Sequence, residues 1–315
     1  MRRALLVGID AYPNAPLSGC VADARLMAEV LATNDDGSPN FDCRLLTAPG
    51  GRVERFDLRK ALEQLFRDEA EVALLHFSGH GTVNNLGGYL VTQDVRRYDE
   101  GVPMADVLTW ANRSRVKEVV IFLDCCHSGA LGELPGIDNK AVLREGVSIL
   151  TASRDSQLAV EQGGHGLVTS MVSDALRGGA ADVCGNVSVA GVYAYVDQRL
   201  GPWDQRPLFK SHVSTLIPLR KCKPEIDLSI LRALPQRFES PDYKLPLDPS
   251  YEPTAEPRHE EHERVFSELQ RLRSARLLVP VGEEHLYYAA VNSKACALTP
   301  LGKHYWHLAK AGRIK

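Results

Sequence analysis

Two short segments carry the side chains that could make a nucleophile. His76-Phe77-Ser78-Gly79-His80-Gly81 holds a histidine between glycines, and Asp124-Cys125-Cys126-His127-Ser128-Gly129 holds a cysteine with a glycine three residues on. A thiol attacks a carbonyl near neutral pH when an imidazole takes its proton. The glycines let the backbone bend tightly, so that N–H groups can turn into a cleft. Two such donors stabilise the oxyanion of acyl transfer, and the N–H groups of Gly81 and Cys126 are the expected pair. On this reading Cys126 is the nucleophile and His80 its acid/base partner. Cys125 is the competing thiol, but strand alternation points it to the opposite side, into the packing layer. His127 competes as base and, directly next to Cys126, faces away. Taken singly, a Cys-Cys pair is usually structural and a histidine between glycines usually a turn residue. The conjunction of the two motifs, 46 residues apart, carries the case.

The surrounding pattern explains how such residues could meet. Ala4-Leu5-Leu6-Val7-Gly8-Ile9 is an apolar run ending in Asp10-Ala11-Tyr12-Pro13, a buried strand leaving a sheet into a loop. Cys20, Ala24, Met27, Ala28 and Leu31 then recur at helical spacing. Strands are expected at residues 41–46, 72–77, 118–123 and 147–151, and helices at 56–67, 104–112, 167–176 and 189–199; a last strand is expected at 212–219. Strands apolar on both faces and separated by helices imply an α/β fold with a mostly parallel, doubly wound sheet covered on both sides. In such sheets working residues gather at the carboxyl ends of the strands, where both motifs lie.

Composition excludes several alternatives. The chain has 315 residues, 44% hydrophobic and 24% charged, with a formal net charge of -3, ordinary values for a globular protein with no special affinity for polyanions. The start, Met1-Arg2-Arg3, precedes too short an apolar stretch for a signal peptide, and no long apolar run suggests a membrane span. Seven cysteines without C-x-x-C spacing argue against a zinc site or a disulfide framework and for a reducing, cytoplasmic setting. No metal ligand set is apparent.

HFSGHG followed by DCCHSG resembles the catalytic histidine and cysteine blocks of the caspase-like cysteine peptidases (clan CD, peptidase C14), metacaspases and bacterial homologues in particular. LLVGIDAY, Gly19-Cys20-Val21-Ala22-Asp23-Ala24, Ser148-Ile149-Leu150-Thr151-Ala152-Ser153, His165-Gly166-Leu167-Val168-Thr169 and Gln205-Arg206-Pro207-Leu208-Phe209 extend the resemblance over residues 1–220. It implies a caspase-like three-layer sandwich and a Cys-His dyad acting on protein substrates. It also implies an acidic S1 pocket at Cys20, Asp23, Ser78 and Asp124, hence cleavage after Arg and secondarily Lys. Without the resemblance, Asp23 reads as an exposed helical charge and Asp124 as a loop cap. Autoprocessing after Lys140 or Arg144 is expected from the glycine- and proline-bearing loop at 128–146. Calcium activates part of that family, but no Asp-x-Asp-x-Asp loop is present. No cofactor is therefore required, and Ca2+ enters at most as an activator.

Two other readings use the same residues: a catalytically silent scaffold, and a thiol-dependent transferase or esterase. The presence of His80, Cys126, Asp23 and Asp124 together favours an active peptidase, read as a regulated effector of bacterial stress or antiviral defence. Domains are expected at 1–222 (peptidase) and 261–315 (a winged-helix-like accessory domain), joined by a linker at 223–260 rich in proline (224, 235, 241, 246, 249, 253 and 257). In the accessory part, a helix at 262–272, a hairpin formed by 276–281 with 286–291, and a final helix capped by Thr299 and begun by Pro300 are expected. Its basic end (Lys294, Lys303, His304, His307, Lys310, Arg313, Lys315) suits docking of a regulatory protein or sensor, with nucleic acid the less favoured partner.

Overall fold

The computed structural model describes the chain except residues 49–51, 97–98, 126–141, 153–160, 163, 201–206, 216 and 315, and the side chains of 161 and 162. Two compact units emerge, one made of Met1–Ala181 with Asn186–Cys222, the other of Asp182–Gly185 with Lys223–Lys315.

In the first unit the chain runs β1 (Arg2–Ile9), α1 (Cys20–Ala32), β2 (Asp42–Ala48), α2 (Arg55–Phe66) and β3 (Val72–Ser78). It continues through β4 (Gly81–Asn84), β5 (Gly87–Arg96), β6 (Asp99–Pro103), α3 (Met104–Arg113), β7 (Glu118–Asp124) and β8 (Val147–Thr151). It ends with β9 (Glu161–Gln162), β10 (His165–Gly166), α4 (Leu167–Asp174), β11 (Asn186–Val187), α5 (Val189–Arg199), β12 (Leu208–His212) and β13 (Arg220–Lys221). The main sheet has the order β12-β8-β7-β3-β1-β2. All its pairs are parallel except β12 with β8.

Alternation along each strand builds two cores. Leu5, Val7 and Ile9 of β1 pack with Leu58 and Leu62 of α2 and Val107 of α3. Ala4 and Leu6 pack on the other face with Ala24 and Met27 of α1, Met171 and Val172 of α4 and Val192 and Val196 of α5. These strands are buried on both faces, which is why they read as continuous apolar runs. The expected three-layer α/β sandwich is thus the observed one.

The chain leaves β1 toward β2 on one side and returns as β3 on the other, so the order reverses between β1 and β3. This is the position where α/β sheets open a crevice beyond their strand ends. Gly8 sets its depth on one side: a Cβ there would sit 2.2 Å from the Cys20 carbonyl oxygen, so only glycine lets α1 lie this close to β1. The close approach brings the Asp10 carboxylate onto the start of α1, accepting from Cys20 N–H at 2.8 Å and Val21 N–H at 3.3 Å. A negative group thereby satisfies orphan donors at the positive end of the helix.

Four expectations about elements are corrected. Residues 81–103, where no strands were expected, form the antiparallel sheet β4-β5-β6; Gly81–Asn84 lies half in solvent, and the apolar alternation that announces a strand is weak there. The last strand of the main sheet is Leu208–His212, ahead of the expected 212–219, because its ladder with Val147–Thr151 needs consecutive backbone donors, and Pro218 interrupts them further on. Residues 223–260 are no free linker. In the second unit they contribute α6 (Leu228–Arg232), α7 (Leu234–Arg237) and β14 (Lys244–Pro246). Ile226, Leu231, Leu234 and Phe238 bury their side chains there, and Phe238 O accepts from Trp306 Nε1 at 2.8 Å.

The rest of that unit comprises α8 (Glu260–Ser274), β15 (Leu278–Val281), α9 (Leu286–Val291), β16 (Ala295–Leu298) and α10 (Pro300–Lys310). Thr299 caps α10, accepting from Gly302 N–H at 3.0 Å. The expected hairpin is corrected: Leu286–Val291 is a helix that buries Leu286, Ala289 and Ala290, and the strand pairing with β15 is β16, flanked on its other side by β14. An apolar run of six residues fits either element, and the tertiary environment decides. Among the described residues no helix is long and apolar enough to cross a membrane.

Candidate active site

His80 stands just past the end of β3, and its surroundings fix its tautomer. Its Nε2 lies 2.7 Å from the Ala15 carbonyl oxygen, which can only accept. Nε2 therefore carries the proton, and Nδ1 of the neutral ring is left as the basic nitrogen. The ring rests against Tyr12 with centroids 4.6 Å apart. His80 N–H donates to Tyr12 Oη at 3.0 Å, and Tyr12 Oη donates to Val91 O at 3.1 Å. Burial pushes the Tyr12 phenol well up, so it remains a proton donor. Val91 N–H in turn bonds the His80 carbonyl at 3.0 Å, flanking the pair Gly81–Leu90. A pair flanked in this way is of the non-hydrogen-bonded kind, so the Gly81 N–H lies outside the ladder, as an oxyanion donor must.

The carboxylates form the second part of the site. Ser78 and Asp124 are register partners at the ends of β3 and β7, and Asp23 reaches them from α1. Ser78 Oγ donates to Asp23 Oδ2 at 2.9 Å, while His165 Nδ1 lies 2.9 Å from Asp23 Oδ1 and Gly166 N–H reaches both oxygens at 3.2 Å. Asp124 Oδ2 accepts from Thr169 N–H at 3.1 Å and Thr169 Oγ1 at 2.6 Å. Asp23 is 1% and Asp124 8% exposed, which corrects the exposed-charge alternative for Asp23. Burial, followed by the neighbouring Asp124 charge, pushes the Asp23 carboxyl up to about 6 against the pull of its hydrogen bonds. Burial pushes Asp124 up too, with Thr169 opposing. Cys20 is buried nearby, its thiol pushed up to about 12 mainly by burial, so it is neutral and no rival nucleophile.

Gly166 is the spacer between the two carboxylates. A Cβ there would lie 2.4 Å from Asp124 Oδ2 and 3.2 Å from Asp23 Oδ2. Gly166→Ala is expected to force them apart, costing about 1–3 kcal/mol in urea denaturation together with a fall in kcat/KM. An unchanged denaturation midpoint would show that the loop yields freely.

The structure therefore assembles Cys20, Asp23, Ser78 and Asp124 in one place and brings His80 to the β1–β3 crevice. Cys126, both as nucleophile and as oxyanion donor, lies outside the described residues, as do His127, Lys140, Gln205 and Arg206. Cys125 is buried in the core on the α2/α3 face. Arg144 is committed elsewhere: its guanidinium donates to the Ala111 and Val116 carbonyls at 3.0 and 2.7 Å, which removes it as a readily presented autoprocessing residue. Tyr12, the Ala15 carbonyl, Gly166 and Thr169 were not foreseen as site residues, although Tyr12 and the HGLVT block were among the segments carrying the resemblance. Among the described residues no group of three or more His, Cys, Asp or Glu side chains could hold a metal ion.

Comparison with known proteins gives a consistent picture. The family model for the caspase domain of peptidase C14 matches residues 1–217. Metacaspase-3 of Trypanosoma cruzi (strain CL Brener) is 28% identical over 155 residues, 42% of this chain and 42% of that protein. Metacaspase-4 of Arabidopsis thaliana is 32% identical over 149 residues, 41% of this chain and 34% of that protein. The chain thus spans less than half the length of the curated relatives it matches. A Geobacter sulfurreducens protein of known crystal structure has a TM-score of 0.52 at 17% identity, covering 70% of this chain and 99% of that one, a likeness of fold.

Proposed function

Because this chain belongs to the caspase-domain peptidase family, we propose that it is a cysteine endopeptidase cleaving after Arg, and secondarily Lys, with Cys126 as nucleophile and His80 as acid/base. The observation that carries the substrate class is the pair of buried carboxylates, Asp23 and Asp124, meeting at Gly166 beside the strand end that leads to residue 126. A guanidinium entering there relieves their mutual repulsion and donates in planar, bidentate fashion; an ammonium neutralises them as a point charge.

In the reaction, His80 Nδ1 takes the Cys126 proton while the Ala15 carbonyl holds Nε2–H in place. The thiolate attacks the carbonyl carbon of the basic residue, and the oxyanion is stabilised by the N–H groups of Gly81 and Cys126. Collapse breaks the C–N bond, and His80 Nδ1–H protonates the departing amine. Water, deprotonated by the same nitrogen, then hydrolyses the thioester and restores the thiol.

The test is cleavage of fluorogenic peptides ending in Arg, Lys or Asp, with and without calcium. Arg-ended peptides are expected to be cut fastest; cleavage after Asp would overturn the pocket. A pH dependence follows from Asp23. Its folded-state pKa lies above the unfolded value, so protonation occurs as pH falls through about 6 and removes half the cation site. For Arg peptides kcat/KM is expected to drop below that pH, with the limb attenuated in Asp23→Asn. Stability runs the other way. The contribution of a raised carboxyl is fully present below its unfolded pKa and is lost as pH rises through about 6, so acid favours the fold while silencing the pocket.

The reading extends to a protein partner that engages residues 261–315. There Val279 of β15 and Tyr287, Tyr288 and Val291 of α9 keep apolar side chains exposed.

A further inference from the structure

Behind Asp124 lies a buried polar chain that the proposed reaction does not use. His76 sits on β3 two residues before Ser78, hence on the same face, in a strand otherwise apolar from Val72 to Leu75. It is 2% exposed, with Nε2 3.1 Å from Thr169 Oγ1, the hydroxyl that also lies 2.6 Å from Asp124 Oδ2. An ionised carboxylate only accepts, so the hydroxyl spends its one proton on Asp124. Toward His76 the hydroxyl can then only accept, which requires Nε2–H and leaves Nδ1 as a bare lone pair. His76 Nδ1 is sealed from solvent and has no hydrogen-bond partner among the described residues. Burial depresses the imidazole to about 3, so the ring is neutral throughout the working range. Burying a histidine with one orphan nitrogen costs free energy that an apolar residue here would not.

We infer that His76 and Thr169 are positioning residues of the substrate pocket: the chain His76 Nε2–H to Thr169 Oγ1–H to Asp124 Oδ2 fixes the Asp124 carboxylate in orientation and holds it ready for a cation. This rests on the reading of Asp124 as a pocket residue. Thr169 also donates its backbone N–H, and as it stands in the first turn of α4 the helix start reinforces the hold on a negative charge. The groups bearing on Asp124 are then Asp23 from α1, with His165 of β10 on its far side, Ser78 and His76 from β3, and Thr169 from α4. Burial opposes the ionisation of Asp124, and the two hydrogen bonds from Thr169 counter it. The arrangement is directional. Protonating Asp124 would let the hydroxyl turn its proton toward His76, so the tautomer of a buried ring reports the charge of a pocket carboxylate.

The experiment uses the full chain carrying Cys126→Ala, labelled with 13C and 15N. The Asp124 carboxyl carbon, assigned with Asp124→Asn, is titrated while long-range ring couplings report the His76 tautomer. The expected result is neutral, Nε2-protonated His76 wherever Asp124 is ionised. Thr169→Val should raise the Asp124 midpoint by about one pH unit or more, and Thr169→Ser should restore it. An unmoved midpoint in Thr169→Val, or an Nδ1-protonated His76 beside ionised Asp124, overturns the inference. Should Thr169→Val lose its native circular dichroism, the tautomer in the parent chain decides alone.

A kinetic arm uses the chain with Cys126 intact. There Thr169→Val is expected to raise KM for an Arg peptide about tenfold with kcat within about twofold, as loss of a binding interaction common to ground and transition states does. A fall in kcat alone would mark a merely structural role. If the parent cuts no peptide after basic residues, the substrate reading fails, while the titration still decides the positioning chain.

Discussion

With Cys126→Ala, hydrolysis of an Arg-ended peptide is expected to fall by at least about 10³-fold, because the attacking atom of the proposed reaction is removed. His80→Ala should fall by a comparable factor, and the double variant should be no worse than the more damaged single one, since a nucleophile and its base act as one unit. The geometry around the ring gives the reason for the second expectation. With Nε2–H bound to the Ala15 carbonyl, only Nδ1 is free to move a proton, and without it the thiol stays protonated for most of the time near neutral pH. Cys125→Ala serves as the control. Cys125 is buried in the core, so its loss should lower stability and leave kcat/KM per folded molecule nearly unchanged. Abolition of cleavage by Cys125→Ala with survival in Cys126→Ala would reverse the assignment.

Asp124→Asn is expected to reduce kcat/KM for Arg peptides by about 10² to 10³, the range found when one partner of a buried charge pair is removed. Three features make the effect large at this position. The carboxylate is screened from water, it shares the site with Asp23, and an amide, whose oxygen could still accept from Thr169, brings no charge to pair with a cation. Asp23→Asn should give a loss of similar size, and the double substitution less than the sum, because each single change relieves repulsion as well as removing attraction. The measurement is a double-substitution cycle on Arg and Lys peptides. Equal losses on peptides ending in a neutral residue would show that these carboxylates support the fold rather than select the substrate.

How much of this could be read from the order of residues alone follows the range of the forces involved. The alternation of β1, α1, β2, α2, β3, α3, β7 and β8 was legible because apolar runs and helical spacing are local properties. The sheet class followed because strands buried on both faces carry no polar alternation. His80 and Cys126 stood out as residue types within short glycine-flanked motifs, while Cys20, Asp23, Ser78 and Asp124 were named only through the resemblance. The meeting of the latter four is a product of register: Ser78 opposite Asp124, and α1 pressed onto β1 at Gly8.

Other features were decided only in three dimensions. Whether Leu286–Val291 became helix or strand, and whether residues 223–260 stayed outside a core, depended on packing partners far away in the chain. The partner that fixes the His80 tautomer is the backbone carbonyl of Ala15, a group every residue possesses and no sequence pattern marks. Gly166 matters for the Cβ it lacks between two carboxylates contributed from 42 and 143 residues away, and His76 for a hydroxyl 93 residues away. The amino-acid sequence by itself thus determined the layered fold, which rests on local periodicity, and it named the proposed catalytic pair; the proposed pocket residues came only through the family resemblance of their motifs. The tertiary structure decided protonation, orientation and the supporting shell, because hydrogen bonds and desolvation depend on which distant groups the folded chain brings within about 3 Å.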